Sequence, residues 1–189
     1  MPSVRFETEL TPLGGEPGFD ETGMDEVRFL MSANAGETPG RISKIASGGE
    51  LARIMLVMKD VLSERDGVPA VVFDEIDEGV SGIAAQRVAE KLARLARKKQ
   101  VICVTHLPQI AAMADTHFRI AKTERDGRTY TQVTPLDREG RIRELARLHG
   151  GENVTETTLA SAAEQLDAAS NYKAVSYTHL RAHETEADL

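Results

Sequence analysis

The sequence has few of the residues that mark disulfide-bonded, secreted or membrane-spanning proteins. Its 189 residues include one cysteine and no tryptophan, and aromatic residues make up 4%. The single thiol, Cys103, lies in an apolar run and is interpreted as a core residue, which excludes a disulfide framework or a thiolate metal cluster within the chain. No apolar run approaches the ~20 residues of a membrane span, and no apolar stretch follows the N-terminus. We therefore expect a cytoplasmic protein with no membrane partner.

Positively charged residues are outnumbered by negatively charged ones. The sequence has 23 lysine and arginine residues against 30 aspartate and glutamate residues, and its formal net charge is -7. Because neutralisation of phosphates dominates sequence-independent nucleic-acid binding, this balance argues against a broad nucleic-acid-binding face. Any DNA contact is therefore local or lies elsewhere in a larger protein. The basic run at 94–99 follows a helical pattern and is typical of a solvated helix end.

Hydrophobic spacing predicts an α/β domain with one core. Alternation at 4–10 and 27–30 predicts two neighbouring strands, and a later helical pattern predicts a helix from a glycine pair to about Arg65. An Asp-Gly pair at 126–127 predicts a β-hairpin. Two amphipathic helices follow it, and Thr155 is the predicted cap of the second.

Two short apolar runs, 70–73 and 100–105, flank a further helical pattern. Strand, helix and strand in this order predict parallel neighbours that are joined by a right-handed crossover and buried on both faces. Ligands of such sheets bind at the carboxyl ends of the strands. Asp74, Glu75 and His106 stand at those ends and are candidate site residues.

Each of these candidates has a chemical and a structural interpretation. Asp74 could hold Mg²⁺ through water and Glu75 could polarise an attacking water, but structural acids are also common at strand ends. His106 could donate a hydrogen bond to a terminal phosphate, or it could be an ordinary loop histidine. The residues alone do not decide between the two.

A glycine pair opens the first long helix. Amide N–H groups at a helix N-terminus bind anions, so Ser47, Gly48 and Gly49 could bind a phosphate. The structural alternative is a serine cap followed by a flexible turn, in which Glu50 complements the helix dipole. Both interpretations remain open at the level of sequence.

The order and spacing of these groups resemble the ATP-binding-cassette ATPases. Residues 43–53 (SKIASGGELAR) resemble the family's signature motif, and residues 71–75 (VVFDE) resemble its Walker B strand. Residues 104–106 (VTH) resemble its switch-histidine motif, and residues 77–82 fall where the family has its D-loop. Longer matches (KIASGGEL, FDEIDEGVSG and THLPQIA) resemble the bacterial DNA-repair members of the coiled-coil ATPase class that includes the chromosome-maintenance (SMC) proteins.

The resemblance implies an α/β fold, the C-terminal half of an ABC-type ATPase head, over residues 1–169. That half has a largely parallel sheet flanked by helices, an antiparallel hairpin and C-terminal helices. The implied cofactors are ATP and Mg²⁺, with Asp74 on the metal through water, Glu75 as the catalytic base and His106 on the γ-phosphate. The nucleotide of a second head would be bound by the signature residues Ser47, Gly48, Gly49 and Glu50.

Two motifs of the family are missing from the sequence, the G-x-x-x-x-G-K-[ST] phosphate loop and a sustained heptad run. The resemblance therefore implies a segment of a DNA double-strand-break repair and recombination ATPase that is inactive alone. Its implied partners are the N-terminal phosphate-loop half of the same head, a second head in a homodimer, and DNA through the complete protein. The implied location is the nucleoid of a bacterial cytoplasm.

The last residues, 170–189, lose apolar periodicity, and 174–185 resemble translated adapter sequence, so we predict a disordered, non-native tail. His179 and His183 in this tail have the spacing of a helical metal pair, but no third ligand is nearby.

Two other functions are compatible with the residues. The fold could serve as a non-catalytic dimerisation or interaction module, in which the glycines are structural. The nucleotide-binding subunit of an ABC transporter shares the signature and Walker B patterns, although residues 77–82 and 105–111 resemble the repair proteins instead.

Overall fold

The computed structural model divides the chain into two compact units, Met1–Leu51 and Ala52–Leu189. The backbone is described for residues 5–15, 18–32, 36–45, 47–63, 65, 67–151 and 153–187. Side chains are described for the same residues except 43, 45 and 176–187. Within these ranges, no helix combines the length and the apolar character that a membrane crossing requires.

The first unit is built on an antiparallel sheet. Strand β1 (Arg5–Pro12) pairs with β2 (Asp25–Ser32), which also pairs with the short β3 (Gly40–Arg41). Helix α1 (Ile42–Ile45) follows β3. Both strands predicted from alternation are therefore confirmed, apart from residue 4, which lies outside the described residues.

Helix α2 (Gly48–Val61) begins at the predicted glycine pair in the first unit and continues into the second. It ends four residues before the predicted end near Arg65. Val61 is 75% exposed and Leu62 is 45% exposed, so neither side chain gains burial from a longer helix. Because most helical stability in proteins comes from packing, the helix stops where its buried face stops.

Strand β4 (Ala70–Phe73), helix α3 (Gly82–Leu95) and strand β5 (Gln100–Cys103) form the predicted parallel unit. The expectation that these strands are buried on both faces is wrong. Phe73 is 5% exposed and belongs to the core, whereas Val72 is 67% exposed on the other face. Apolar side chains of the described helices pack against one face of β4 and β5, and the other face is exposed to solvent.

The remainder of the second unit contains one hairpin and three helices. In chain order the elements are α4 (Pro108–Met113), β6 (Phe118–Arg125), β7 (Arg128–Pro135), α5 (Arg138–Gly150) and α6 (Glu156–Ala187). The predicted hairpin and both predicted helices are confirmed. Asp137 caps α5, and the Thr155 hydroxyl accepts a hydrogen bond from the Thr158 N–H at 3.2 Å, as predicted for α6.

One hydrophobic core holds the second unit together. Its large buried members include Leu56, Phe73, Ile76, Leu95, Ile110, Leu145 and Leu166. Ile76 is 0% exposed although it lies in a loop, three residues after the end of β4. Burial of this side chain fixes the segment that follows β4, where the candidate acids lie.

Helix α6 continues through the segment that the sequence predicted to be a disordered tail. Alanine, leucine, arginine and glutamate are strong helix formers and allow the helix to run on. Its contacts extend past residue 169, because the Lys173 ammonium donates to Asp115 Oδ1 at 2.7 Å and the Lys173 carbonyl accepts from Arg97. The side chains of His179 and His183 and residues 188–189 lie outside the described part, so the non-native origin of the tail stays a prediction.

Candidate functional site

A cleft opens at the carboxyl ends of β4 and β5. The Val104 N–H donates to the Phe73 carbonyl at 2.9 Å, so the strands stay paired up to the point where the cleft begins. Its volume is about 300 Å³, and its lining comes from the two segments that follow the strands: Asp74, Glu75, Asp77, Glu78, Val104, Thr105 and His106. The structure thus brings together Asp74, Glu75 and His106, as the sequence predicted.

Residues 74–80 form the acidic loop. Glu75 has a backbone φ of 58°, in the left-handed region that is costly for a residue with a Cβ. The Glu75 N–H donates to Asp74 Oδ1 at 2.9 Å, and the Glu75 carbonyl accepts from the Glu78 N–H at 3.0 Å. Backbone strain of this kind clusters at functional sites, where the surrounding structure holds it in place. Both Asp74 and Glu75 are exposed, so their carboxylates are accessible in the cleft.

Asp77 is the buried acid of the acidic loop, with a side chain 5% exposed. Its Oδ2 accepts hydrogen bonds from the Thr105 hydroxyl at 2.6 Å and from the His106 N–H at 2.9 Å. The same oxygen lies 3.0 Å from His106 Nδ1. These contacts join the acidic loop to the segment after β5. They also orient the His106 ring, whose Nε2 has no partner among the described residues.

The ionisation of Asp77 makes stability depend on pH. Burial disfavours its carboxylate, but the hydrogen bonds from Thr105 and the His106 backbone outweigh burial and hold the pKa of Asp77 below its usual value. A lowered folded pKa adds stability above the unfolded value of about 3.9, and this stability is lost as the pH falls through the folded pKa. We expect the free energies of unfolding of the wild type and of Asp77→Asn to approach one another as the pH falls below the unfolded value of about 3.9 and through the lower folded pKa. Urea titrations measure the difference, and a pH-independent difference would contradict the assignment.

The cysteine next to the cleft is not a nucleophile. Cys103 is the last residue of β5. Burial, and then the negative charges of Asp77 and Asp74, raise the pKa of Cys103 to about 12. Because the thiolate is the reactive form, the thiol packs as a small apolar side chain, in agreement with its interpretation from the sequence.

Arg53 holds the acidic loop from helix α2. Its guanidinium donates to the Ile76 carbonyl at 3.2 Å and to the Glu78 carbonyl at 2.7 Å. Arg53, Asp77 and Thr105 were not predicted as site residues, although all three lie within the motif runs. Their roles depend on where the loop carbonyls and the buried carboxylate lie in space, which the spacing of residues along the chain does not reveal.

The signature residues form the N-terminus of α2. The Ser47 N–H donates to Glu50 Oε2 at 2.9 Å, and the Glu50 N–H donates to Ser47 Oγ at 3.3 Å. This reciprocal pair is a capping box, so the structural alternative left open by the sequence is realised. Helix geometry leaves the amides of Gly48 and Gly49 for another acceptor. All four residues belong to the first unit, whereas the cleft belongs to the second.

Removing the serine cap is expected to destabilise the chain. Ser47→Ala loses the hydroxyl that accepts the Glu50 N–H and should lower the free energy of unfolding by about 1 kcal/mol. Ser81→Ala is the matched control, because Ser81 stands at the N-cap of α3 and makes no side-chain cap hydrogen bond. Urea titrations compare the two variants. Equal losses in both would contradict the capping role of Ser47.

The donor set of the cleft fits a magnesium ion better than an isolated polyphosphate. Four of the lining residues are acids, and His106 is the basic one. Mg²⁺ prefers oxygen ligands and usually takes one or two carboxylates, with water and substrate phosphates in the other positions. In the described part of the chain, no three His, Cys, Asp or Glu side chains converge to hold a metal. Asp74 could therefore supply one ligand of such an ion, and the remaining ligands would come from water or from a bound molecule.

The chain is similar to known proteins over most of its length. No protein-family model matches the chain. The DNA repair protein RecN of Bacillus subtilis is 47% identical over 167 residues, which are 87% of this chain and 29% of that protein. RecN of Halalkalibacterium halodurans is 47% identical over 175 residues, which are 92% of this chain and 31% of that protein. This chain is similar to a segment of RecN. It spans less than a third of the length of these curated relatives.

The fold of the chain is shared with a solved structure. The Smc head domain of Pyrococcus yayanosii, solved with a coiled coil and joint, is 26% identical with a TM-score of 0.53. The match covers 76% of this chain and 26% of that chain. The predicted fold class, an α/β fold of the ABC and SMC head type, is confirmed. Its parallel part is the β4–β5 pair, and its hairpin and C-terminal helices follow as predicted.

Proposed function

We propose that the chain is the C-terminal half of the ATPase head of a bacterial protein for DNA double-strand-break repair and recombination. The observation that carries this proposal is the convergence of Asp74, Glu75 and His106 on one cleft at the strand ends, where sheets of this class bind ligands. The similarity to RecN supports repair over membrane transport. The complete protein would act on the nucleoid in the bacterial cytoplasm.

The residues of the cleft fit distinct tasks in ATP hydrolysis. Bound MgATP supplies the γ-phosphoryl group and the metal charge that phosphoryl transfer requires. Asp74 would hold the metal through water. Glu75, exposed in the cleft, orients the attacking water and accepts its proton. Asp77 holds His106 through Nδ1–H, so Nε2 would donate a hydrogen bond to the terminal phosphate in the imidazolium form of the ring, in which both nitrogens carry a proton.

The N-terminal phosphate-loop half of the same head would supply what the cleft lacks. Among the lining residues only His106 is basic, and the sequence has no G-x-x-x-x-G-K-[ST] motif to hold the phosphates. The exposed face of β4 and β5 offers a place for that half, since Val72 and Ile102 lie side by side in the pairing register and are 67% and 49% exposed. Without it, the segment is proposed to be inactive.

The signature residues would serve a second head. In a homodimer, Ser47, Gly48, Gly49 and Glu50 of one head would close on the nucleotide held by the other. The amides of Gly48 and Gly49 are the donors suited to the γ-phosphate, because the capping box already uses the N–H groups of Ser47 and Glu50. DNA would be bound by the complete protein.

A non-catalytic dimerisation module is the second candidate function. The capping box favours it, because Ser47 and Glu50 have a structural role that requires no nucleotide. In that case the glycines only permit the turn into α2, and the acids of the cleft would bind no metal. The two candidates differ in whether a completed head hydrolyses ATP.

The experiment that tests the proposal supplies the missing half. The full 189-residue chain is mixed with the part of the Bacillus subtilis relative that this chain does not match, and steady-state ATP hydrolysis is measured for each part and for the mixture. The proposal predicts turnover in the mixture only. Two parts that bind one another and still do not hydrolyse ATP would favour the non-catalytic module.

A further inference from the structure

The β6–β7 hairpin sorts its side chains onto two different faces. On one face, the register places Phe118 opposite Pro135 and Ile120 opposite Val133, and towards the turn it places Lys122 and Glu124 opposite threonines, so that face is half apolar. The other face is the arginine face, and its residues are Arg119, Ala121, Thr123, Arg125, Arg128, Tyr130, Gln132 and Thr134. Every residue of the hairpin is described, and the arginine face has no carboxylate. Apart from Ala121, each of its side chains can donate a hydrogen bond.

Two arginines meet at the tip of the arginine face, on either side of the turn that contains Asp126. Arg125 lies directly opposite Arg128 in the register, and both are exposed. Like charges at directly opposite positions of a strand pair are destabilising. Neither guanidinium has an ion-pair partner in the part of the chain that the structure describes. The hairpin therefore keeps an unfavourable pair that a bound anion would relieve.

Some basic side chains elsewhere in the second unit are engaged by the fold. The run at 94–99, expected from the sequence to be a solvated helix end, has structural contacts instead. Arg94 forms an ion pair with Asp60, and Lys99 is 7% exposed with its ammonium 2.6 Å from the Val68 carbonyl. The arginine face is thus a local basic surface on a chain with a net charge of -7.

We propose that the arginine face binds the phosphate backbone of duplex DNA. Arginine, threonine, tyrosine and glutamine side chains are the groups that contact phosphates and sugars in protein–DNA complexes. Arg119 is half exposed and lies 3.5 Å from Glu144 Oε2, and it stands six residues from Arg125 on β6, which is about 20 Å along a strand. That length exceeds the roughly 12 Å width of a major groove, so the face can reach phosphates on both sides. The positive charge of the arginine face favours a polyanionic ligand. Because hydrogen-bond donors lie along both strands, the face fits the repeating phosphates of a nucleic-acid backbone better than an acidic peptide.

The test measures duplex binding by the full 189-residue chain, using the fluorescence anisotropy of a labelled duplex at about 50 mM salt. Arg125→Ala/Arg128→Ala should weaken binding roughly tenfold and reduce the slope of log affinity against log salt by about two. Arg138→Ala/Arg143→Ala is the matched control, because both arginines are exposed, paired with acids and lie on α5 outside the arginine face. The control should leave affinity within about twofold.

Several results would overturn the proposal. The proposal is wrong if the unaltered chain does not bind the duplex, or if the two double variants lose the same amount of duplex affinity. Displacement of the duplex by polyglutamate at matched charge would assign the face to acidic polypeptides instead. Loss of affinity in Arg125→Ala/Arg128→Ala would not result from unfolding, because removing a like-charge pair should not lower the free energy of unfolding. ATP turnover of the completed head is a separate readout, because Arg125 and Arg128 do not line the cleft.

Discussion

Glu75→Gln, in a head completed by a phosphate-loop half, should lower ATP turnover by about 10²- to 10⁴-fold. The amide keeps the size of the side chain and removes the carboxylate that would accept a proton from water. Binding of the nucleotide does not need this proton transfer, so ATP-dependent closure of two heads should persist. Steady-state hydrolysis measures the first effect, and size-exclusion chromatography with ATP measures the second.

The control for this prediction lies in the same loop. Glu78 also lines the cleft, and its described hydrogen bonds are made by its backbone: the carbonyl accepts from Arg53 and the N–H donates to the Glu75 carbonyl. Glu78→Gln removes the same charge from the same cleft and should change turnover by less than about threefold. Similar losses in Glu75→Gln and Glu78→Gln would mean that the loop contributes only negative charge. Normal turnover in Glu75→Gln would remove Glu75 from the role of base.

Asp77→Asn is expected to lower both stability and turnover. One oxygen of Asp77 accepts from the Thr105 hydroxyl and the His106 N–H and contacts His106 Nδ1. Loss of the buried charge weakens these charge-assisted contacts and should lower the free energy of unfolding by about 1–3 kcal/mol. Turnover should fall because the His106 ring loses the partner that orients it. Urea titrations and steady-state hydrolysis in the completed head measure the two effects.

A double-mutant cycle separates positioning from general damage. If Asp77 acts through His106, then Asp77→Asn should add little further loss of turnover to His106→Ala. Thr105→Val is the matched control, since it removes one hydrogen bond to the same carboxylate and leaves the Asp77–His106 contact in place. It should lower stability with a smaller effect on turnover. Additive losses from Asp77→Asn and His106→Ala would contradict the positioning role.

The fold was predictable where local pattern decides the structure. Alternation identified β1 and β2, and the apolar runs identified the parallel pair β4–β5. An Asp-Gly pair identified the β6–β7 turn, because left-handed backbone at Asp126 and Gly127 suits those residues. The second face of β4 was not predictable. An apolar run does not show whether other residues of the same chain pack against both faces of the strand, and Val72 is exposed.

The site was predictable only in part. Asp74, Glu75 and His106 were found because a residue after a parallel strand must lie at the ligand-binding edge of the sheet. Asp77 was missed because its burial arises from the approach of the segment after β5, and the sequence there does not distinguish a buried acid from an exposed one. The capping box of Ser47 and Glu50 was present in the sequence, since serine followed three residues later by glutamate is its usual pattern.

ATP binding and hydrolysis by the unaltered 189-residue chain alone, with Mg²⁺ and beside its Glu75→Gln variant, test the central claim most directly. The claim is that Asp74, Glu75 and His106 form half of a nucleotide site that requires a phosphate-loop half. It predicts no turnover by either protein alone, and turnover by the unaltered chain once that half is added. Turnover by the chain alone that disappears in Glu75→Gln would show a complete nucleotide site within these residues and would contradict the claim.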